Sequence, residues 1–204
     1  MYHDNKMTGH MKDYSQNKKY QAILEKGKEL FWRHGFRRVS IEEICRESNA
    51  SKMTFYKYFP NKLELAKTIL DEVFADSLIK IRKLGDEHES PALTFKKILQ
   101  LKSEGTRGIG DEFIKDLYVN PEADLKLYME EKSKMIFAEM IAVYEKGQED
   151  GWVRKDLNIP FFILYIQKSM NMFTDEEMLK FFDSSQKLIM EITNLFVYGI
   201  TPHE

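Results

Sequence analysis

Residues 40–59 have the pattern of two short amphipathic helices joined by a sharp turn. Ser40 and Glu43 have the spacing of a capping box, in which the serine oxygen accepts from the Glu43 backbone N–H and the carboxylate reaches back to the Ser40 N–H. Four residues then share one helical face, which we expect to be buried: Ile41, Ile44, Cys45 and Ser48. Asn49 ends this helix, because asparagine tolerates the left-handed backbone of a sharp turn.

The second helix of the pair has an apolar and a polar side. Ser51 is a suitable N-cap, and Phe55 and Phe59 lie four residues apart on the side that we expect to face inward. The other side carries Lys52, Thr54, Tyr56 and Tyr58. At about 1.5 Å per residue this helix is roughly 12 Å long, close to the ~12 Å width of the B-DNA major groove. Its length and polar side therefore suit a helix that lies in that groove.

Helical patterns also precede and follow the pair. An amphipathic helix over residues 20–31 is followed by Gly35, which suits the chain reversal after a helix. Pro60 ends the second helix of the pair, because proline disfavours a helical backbone at the residue before it. Asn61 then caps a long connecting helix that continues to about Leu84. We therefore predict a compact module of three helices and a connector.

Glycines, caps and aromatic residues recur at fixed offsets in this module. The two motifs are Ile23-x3-Gly27-x2-Leu30-Phe31-x3-Gly35-Phe36-x2-Val39-Ser40-Ile41-x2-Ile44 and Ser51-x2-Thr54-Phe55-Tyr56-x-Tyr58-Phe59-x-Asn61-Lys62-x2-Leu65. Over about residues 18–77 they closely resemble the DNA-binding domain of the TetR (tetracycline-repressor-like) family. Gly27 stands where the family usually has alanine, and Asn49 where it usually has the turn glycine. Gly27 is expected to cost its helix about 0.5–1 kcal/mol relative to alanine but to keep the close packing.

The resemblance implies an all-α fold in which an N-terminal three-helix helix-turn-helix DNA-binding domain precedes a C-terminal helical domain for ligand binding and dimerisation. We expect a flexible tail over residues 1–17, the DNA-binding domain over 18–77 and the effector-binding domain over 78–204. Because the tail is polar and lacks periodicity, we expect it to be solvated. An arm that enters the DNA minor groove is the alternative. The partners implied are double-stranded DNA with a palindromic operator, a second copy of the chain and a small-molecule effector.

Charge is divided unevenly along the chain. The 204 residues have a net charge of −2, but residues 1–62 hold 13 basic and 7 acidic residues, whereas the remainder holds 18 basic and 26 acidic residues. A basic segment of this kind can neutralise DNA phosphates, although scattered solvated charge is the alternative. The single cysteine, Cys45, excludes an internal disulfide and fits a reducing cytoplasm. No membrane span, secretion signal, metal site or cofactor motif is recognisable, so we expect a cytoplasmic protein.

Position in the family motif assigns roles to individual residues. Lys52 and Thr54 are predicted to contact base edges, since lysine donates to guanine and the threonine methyl can touch a thymine methyl. Met53 adds an apolar contact. Four residues are predicted to hold phosphates beside the groove: Tyr56, Lys57, Tyr58 and Lys62. Arg38 and Ser40 are predicted to contact the neighbouring DNA backbone. A packing role is the alternative for Tyr56.

Helical spacing continues after the connecting helix. Three loops are predicted, at about residues 85–91, 105–110 and 147–160. A long helix is predicted to start near Pro121, and two apolar helices to span about 159–174 and 175–198. The last two can bury one face inside the subunit and the other across a two-fold axis, which predicts a four-helix bundle of two chains. A dimer is also needed because one short helix contacts only a few base pairs.

Large, flexible or aromatic residues in this second part are candidates for an effector pocket. The seven predicted effector contacts are Phe113, Leu117, Tyr128, Tyr144, Phe161, Tyr165 and Phe173, and Tyr118, Met129 and Met140 share their character. Plain core packing is the alternative for each of them. We expect the effector to tilt the connecting helix, residues 62–84, and so to change the spacing of the two DNA-reading helices.

Other functional classes are less well supported by the sequence. The five histidines have no metal-ligand spacing, and neither a phosphate loop nor a nucleophile elbow is present, which argues against an enzyme. A redox signal sensed by Cys45 is an alternative, but its apolar helical face favours a buried, inert thiol. A protein signal is a further alternative. Activation in place of repression stays open, because the outcome depends on where the operator lies relative to a promoter.

Overall fold

The first part of the chain forms three helices and a long connector, as predicted. The computed structural model describes residues 14, 16–86, 90–118 and 123–202. The helices here are α1 (Lys18–His34), α2 (Ile41–Glu47), α3 (Lys52–Tyr58) and α4 (Lys62–Asp86). We call α1, α2, α3 and the first half of α4 the N-terminal domain.

The rest of the described chain, the C-terminal region, is also helical and contains no strand. Its helices are α5 (Pro91–Thr106), α6 (Asp111–Tyr118), α7 (Ala123–Asp150), α8 (Ile159–Ser169), α9 (Glu176–Leu179) and α10 (Ser185–Ile200). The all-α prediction is therefore confirmed. No helix of the described residues is long and apolar enough to cross a bilayer.

Side-chain caps fix where α2, α3 and α4 begin. Ser40, Ser51 and Asn61 each accept a hydrogen bond from the backbone N–H three residues further on, at 3.1, 3.0 and 2.9 Å. All three caps were predicted. The second bond expected for the capping box, in which the Ser40 N–H donates to the Glu43 carboxylate, is not formed between these two described residues. Only the bond from the Glu43 N–H to the Ser40 oxygen is present.

Two turns and one close approach shape the N-terminal domain. Gly35 has φ +84° and Asn49 has φ +49°, so both adopt the left-handed backbone that the sequence pattern requires. Lys19 Nζ donates to the Asn49 carbonyl at 2.6 Å and ties the turn to α1. A Cβ at Gly27 would lie 2.9 Å from Leu65 Cδ2, so the missing side chain lets α4 approach α1 closely.

The predicted last helix, residues 175–198, is wrong in one respect. It is interrupted after α9, and α10 begins anew at Ser185. Ser184 caps α10 by accepting from the Lys187 N–H at 3.3 Å. The Ser185 N–H also donates to Asp111 Oδ1 at 3.0 Å, which fixes this helix start against α6. The residues of this contact lie 74 positions apart in the sequence.

Other predicted boundaries shift by a few residues. The α-helix that was expected to reach residue 174 ends at Ser169 and continues as a 3-10 turn, Met170–Thr174. The predicted loops at 85–91 and 147–160 are shorter than expected, because α4 and α7 each extend into them. The predicted helix start near Pro121 lies outside the described residues, as does the tail except for residues 14, 16 and 17.

The core of the N-terminal domain continues beyond residue 77. This core contains the fully buried Ile44, Phe55 and Leu65 of the N-terminal domain. The same core also contains Phe113 of α6 and Leu125 of α7. Helix α4 crosses the expected boundary at residues 77 and 78 without interruption and packs along α7. The N-terminal domain is therefore joined to the C-terminal region by a shared core and a continuous helix.

Candidate DNA-reading surface and effector cavity

Helix α3 is anchored through its apolar side and presents the other side to solvent. Phe55 is fully buried, and its ring lies 5.8 Å from that of Phe59. On the opposite side Met53 is 83% exposed and Tyr56 is 53% exposed. The buried side of α3 fixes its position, so the exposed side chains on the other side are well placed to contact a partner surface.

The two predicted base contacts lie on this exposed side, and both have local partners. Lys52 forms an ion pair with Glu42 of α2, and this hydrogen bond lowers the pKa of the Glu42 carboxyl. Thr54 Oγ1 lies 2.9 Å from Ser51 Oγ. Because the Lys52 pair is exposed, DNA can compete for the lysine at small cost.

The predicted phosphate contacts differ in how accessible they are. Lys57 is exposed, and its Nζ lies 5.5 Å from the centre of the Tyr58 ring. Tyr58 is partly buried and packs edge-on against Tyr14 and Tyr20, with ring centroids 4.8 and 5.6 Å away. The Tyr58 ring therefore helps to hold α3 on α1, and its hydroxyl has no hydrogen bond within the described residues.

Lys62, a predicted phosphate contact, already uses its ammonium group within the protein. Its Nζ donates to the backbone carbonyls of Phe36, Arg37 and Val39 at 2.7, 3.2 and 2.8 Å. It also lies 4.5 Å from the centre of the Phe36 ring. An ammonium group has three donors, so the geometry gives Lys62 a structural role that ties α4 to the loop between α1 and α2.

Arg38 and Ser40 lie on the exposed loop before α2, as the motif predicted. An Arg38 guanidinium nitrogen lies 2.9 Å from His34 Nδ1. The Ser40 oxygen is already occupied by its cap bond, but its hydroxyl can still donate to a phosphate. Both residues therefore stay candidates for contact with the DNA backbone.

A cavity of about 1010 Å³ separates the helices of the C-terminal region. Its walls come from α4, α5, α7, α8 and α10, with the end of α6 and the 3-10 turn. One side is lined by α1 of the N-terminal domain through Glu25, Lys28, Glu29, Trp32 and Arg33. The volume is at the upper end of the roughly 300–1,000 Å³ range of ligand pockets. The apolar lining includes Ile81, Leu84, Ile98, Met140, Ile166 and Phe196.

Two of the seven predicted effector contacts line this cavity. They are Tyr144 and Phe173, and the related residues Tyr118, Met129 and Met140 line it too. Burial raises the pKa of Tyr144 to about 12, so its hydroxyl stays a neutral donor at physiological pH.

The other five predicted effector contacts lie elsewhere. Phe113, Leu117 and Tyr128 pack into the core shared with the N-terminal domain. The Phe113 ring stacks on Trp32 with centroids 4.5 Å apart, and the Tyr128 hydroxyl donates to the Lys67 carbonyl at 3.2 Å. These three residues therefore join the two parts of the molecule. Phe161 and Tyr165 point outward and are 65% and 52% exposed.

The outward-facing residues form an apolar surface on α8 and α10. Its exposed members are Phe161, Leu164, Tyr165, Leu195 and Tyr198. The rings of Phe161 and Tyr165 stack with centroids 6.3 Å apart. We call this the α8–α10 face. An exposed apolar surface of this kind marks an interaction site.

Several cavity residues were not predicted from the sequence. Trp152 lies in a loop and is 2% exposed, and its indole Nε1–H has no hydrogen-bond partner within the described residues. Lys102 follows the apolar residues Ile98 and Leu101 on α5, and a lysine within an apolar helical face was the one available signal. Burial lowers the pKa of the Lys102 ammonium.

Helix α6 holds the end of α1. The Gly110 N–H donates to the Trp32 carbonyl at 2.7 Å, and Asp116 Oδ2 accepts from the Arg37 N–H at 3.1 Å. The approach is close, because a Cβ at Gly35 would lie 2.6 Å from Asp116 Oδ2. We call these contacts the α1–α6 junction. Movement of α6 must therefore displace α1 or break these bonds.

Redox and metal chemistry find little support among the described residues. Cys45 is 5% exposed, and burial raises the pKa of its thiol, which disfavours the reactive thiolate. The described residues contain no cluster of histidine, cysteine or acidic side chains suited to a metal ion.

The sequence is similar to known bacterial regulators. Residues 23–69 match the family described as bacterial regulatory proteins, tetR family. The uncharacterized HTH-type transcriptional regulator YfiR of Bacillus subtilis (strain 168) is 26% identical over 143 residues, which are 67% of this chain and 68% of YfiR. YuxN of the same organism is 30% identical over 86 residues, which are 42% of this chain but only 30% of YuxN.

Solved structures share the fold. The fatty acid degradation regulator FadR of Bacillus halodurans has a TM-score of 0.65 at 17% identity, covering 88% of this chain and 94% of FadR. FadR of Bacillus subtilis, solved in complex with stearoyl-CoA, has a TM-score of 0.61 at 15% identity, covering 89% and 99%. E. coli NemR in its reduced form has a TM-score of 0.68 at 16% identity, covering 91% and 100%. At such identities the likeness establishes the fold.

Proposed function

From the match of residues 23–69 to the tetR family of bacterial regulatory proteins and from the shared fold, we propose that the chain is a ligand-responsive transcriptional repressor of that family. We infer that it binds a palindromic operator as a homodimer in the cytoplasm. A small, largely apolar effector in the cavity then releases it from DNA.

One observation carries this proposal: the cavity is lined by both parts of the molecule. Trp32 and Arg33 belong to α1, which supports the DNA-reading helix, whereas Tyr144 and Phe162 belong to the C-terminal region. A ligand there contacts both, so it can favour one relative arrangement over another. A difference of about 1–3 kcal/mol between the two arrangements changes DNA affinity roughly 5- to 150-fold.

The α8–α10 face supports the homodimer. It is apolar and exposed in the isolated chain, and it comes from two helices that can pair with the same two helices of a second copy around a two-fold axis. A dimer places two α3 helices on successive turns of one DNA face, about 34–36 Å apart.

Solved structures of similar fold support an effector that is large and apolar. The fold of this chain matches a FadR that binds stearoyl-CoA and the ketosteroid regulator KstR2 of Mycobacterium tuberculosis, the latter with a TM-score of 0.58. A cavity of about 1010 Å³ with a largely apolar lining is compatible with ligands of that size.

The test is DNA binding by the purified protein to duplexes from its own upstream region, at several salt concentrations. Lys57→Ala should weaken binding to all sequences alike and reduce the salt slope by about 1. Lys52→Ala should relax preference at one base pair by about 1–3 kcal/mol. Lys155→Ala is the control, since this exposed lysine lies in the distant loop between α7 and α8.

Two results contradict the proposal. The first is the absence of preference for any duplex in a genome-wide selection. The second is an operator affinity that stays constant when a ligand demonstrably fills the cavity.

A further inference from the structure

We propose that the effector is an apolar chain that ends in a carboxylate, and that this carboxylate binds between the Lys102 ammonium and the Tyr118 hydroxyl. The inference rests on the proposed function in taking the cavity as the effector site. It adds the chemical class of the ligand and its orientation within the cavity.

Lys102 is the first half of the carboxylate site. It lies on α5 in the cavity wall, and its Nζ is 5.8 Å from the centre of the Phe173 ring. Within the described residues it has no carboxylate partner and its side chain makes no hydrogen bond. A partly buried ammonium without an anion is costly, and the lowered pKa reports that cost. A ligand carboxylate offsets it.

Tyr118 is the second half. It is the last residue of α6, it lines the cavity, and its ring meets Phe173 edge-on with centroids 6.2 Å apart. Its hydroxyl has no hydrogen bond within the described residues, and burial raises its pKa, so it stays a neutral donor. Lys102 and Tyr118 thus contact the same ring, and each has a donor that makes no hydrogen bond within the described residues. A carboxylate has two acceptor oxygens to match them.

The remaining lining suits the apolar chain. From Lys102 the cavity continues along α5 past Leu101 and Ile98. Phe95, seven residues before Lys102 and therefore about 10 Å away along the helix, contacts Trp152 at the other end with ring centroids 6.3 Å apart. The apolar chain can extend over at least that length.

Other charges in the cavity wall are less suited to bind the anion. Lys80 is paired with Asp76 at 2.7 Å. Lys28 lies near the Glu72 carboxyl. Burial raises the pKa of that carboxyl, and the charge of Lys28 offsets part of the rise. Arg33 and Arg107 also line the cavity, but both are exposed to solvent. Among the described lining residues, Lys102 is the partly buried cation without an ion pair, and its one charge matches a single negative charge rather than a phosphate-rich head group.

The site is placed so that its occupation acts on α1. Tyr118 ends α6, and the α1–α6 junction is made by Asp116 of the same helix and by Gly110 immediately before it. A carboxylate that draws Tyr118 towards Lys102 therefore pulls on the helix that holds α1. This gives the ligand head group a direct mechanical link to the N-terminal domain.

Tryptophan fluorescence of the full-length protein tests the site without DNA. The chain has two tryptophans, Trp32 and Trp152, and both line the cavity. Titration with palmitate, hexadecanol, methyl palmitate and palmitoyl-CoA should show tightest binding for palmitate, with the alcohol and the ester at least about tenfold weaker.

Variants test the two donors separately. Lys102→Met should weaken palmitate about 10- to 150-fold and leave hexadecanol unchanged, because only the charged pair is lost. Tyr118→Phe should weaken palmitate about 2- to 10-fold. Lys96→Met, an exposed lysine on the same helix, is the matched control and should bind palmitate as the wild type does. Circular dichroism confirms that each variant is folded.

The outcomes separate this inference from the proposed function. Equal affinity for palmitate and hexadecanol, binding of palmitoyl-CoA alone, binding of none of the four probes, or unchanged palmitate affinity in Lys102→Met overturns the carboxylate site. Palmitate that binds as expected but leaves operator affinity unchanged supports the site and contradicts the proposed release mechanism.

Discussion

The N-terminal domain and the C-terminal region are built from similar side chains and packed in opposite ways. In the N-terminal domain the rings of Phe31 and Phe36 lie 5.4 Å apart inside a filled core. In the C-terminal region the rings of Tyr144 and Phe162 lie 5.7 Å apart, yet they border a cavity of about 1010 Å³. Aromatic content therefore does not distinguish a rigid core from a pocket.

The difference in packing comes from the length of the helices and from the contacts that hold them in place. In the N-terminal domain the seven-residue helices α2 and α3 can each settle closely on α1. In the C-terminal region the 25-residue α4 and the 28-residue α7 run side by side and are held by contacts such as Arg82 to Glu139 at 2.8 Å. Two long helices that are held against each other in this way cannot close onto the space beside them. A filled core suits a part that holds one shape, and a cavity suits the ligand response that we propose for the C-terminal region.

Truncation of a buried ring should give the largest difference in stability loss between the two regions. Phe55→Ala in the filled core should lower the free energy of unfolding by about 3–5 kcal/mol. Phe137→Ala should cost roughly half as much, because the Phe137 ring borders the cavity and already lacks neighbours on one side. Urea denaturation of both variants measures the difference, and equal losses would mean that the cavity is closed in solution.

Enlargement of a side chain should also destabilise the filled core more than the cavity wall. Leu65→Trp should destabilise the filled core by about 1–3 kcal/mol or more, since Leu65 is fully buried. Met140→Trp should stay within about 1.5 kcal/mol of wild type, because the cavity can accept the indole, and it should abolish effector binding. Thermal unfolding and a ligand titration test both statements. A Met140→Trp protein that binds effector normally would place the ligand elsewhere.

Loss of the α1–α6 junction should uncouple the two parts. Asp116→Ala removes the acceptor of the Arg37 N–H. We expect effector affinity to stay within about twofold of wild type while the effect of the ligand on DNA binding shrinks towards none. Lys115→Ala, an exposed neighbour on α6, is the control. If Asp116→Ala keeps its full DNA response, the coupling follows another route.

A small pH effect should come from Lys102. Burial lowers the pKa of its ammonium in the folded protein, so the unfolded chain binds more protons than the folded one. The stability of the effector-free protein should therefore rise with pH from the lowered folded pKa towards the ordinary lysine value. Lys102→Met should be at least as stable as wild type at pH 7 and should lack this rise. Urea titrations at several pH values compare the two, and identical pH profiles would contradict burial of the charge.

Local chemistry explains what could be predicted. The caps at Ser51 and Asn61 and the turn at Asn49 depend on residues within three or four positions, so their outcome could be inferred from sequence spacing. Lys62 could not be assigned in this way. Its carbonyl partners lie 23 to 26 residues earlier, and a lysine in a DNA-binding motif carries no local sign that its donors are already used.

The sequence by itself determined the helix-turn-helix, the side of α3 that faces outward and the all-α class, because caps, turn residues and helical periodicity act over a few residues. The tertiary structure alone decided that Tyr144 and Phe173 face the cavity, that Phe113 belongs to the shared core and that Phe161 faces solvent. All four are aromatic residues at helical spacing. What each one touches depends on where distant helices come to rest, and no short-range pattern encodes that position.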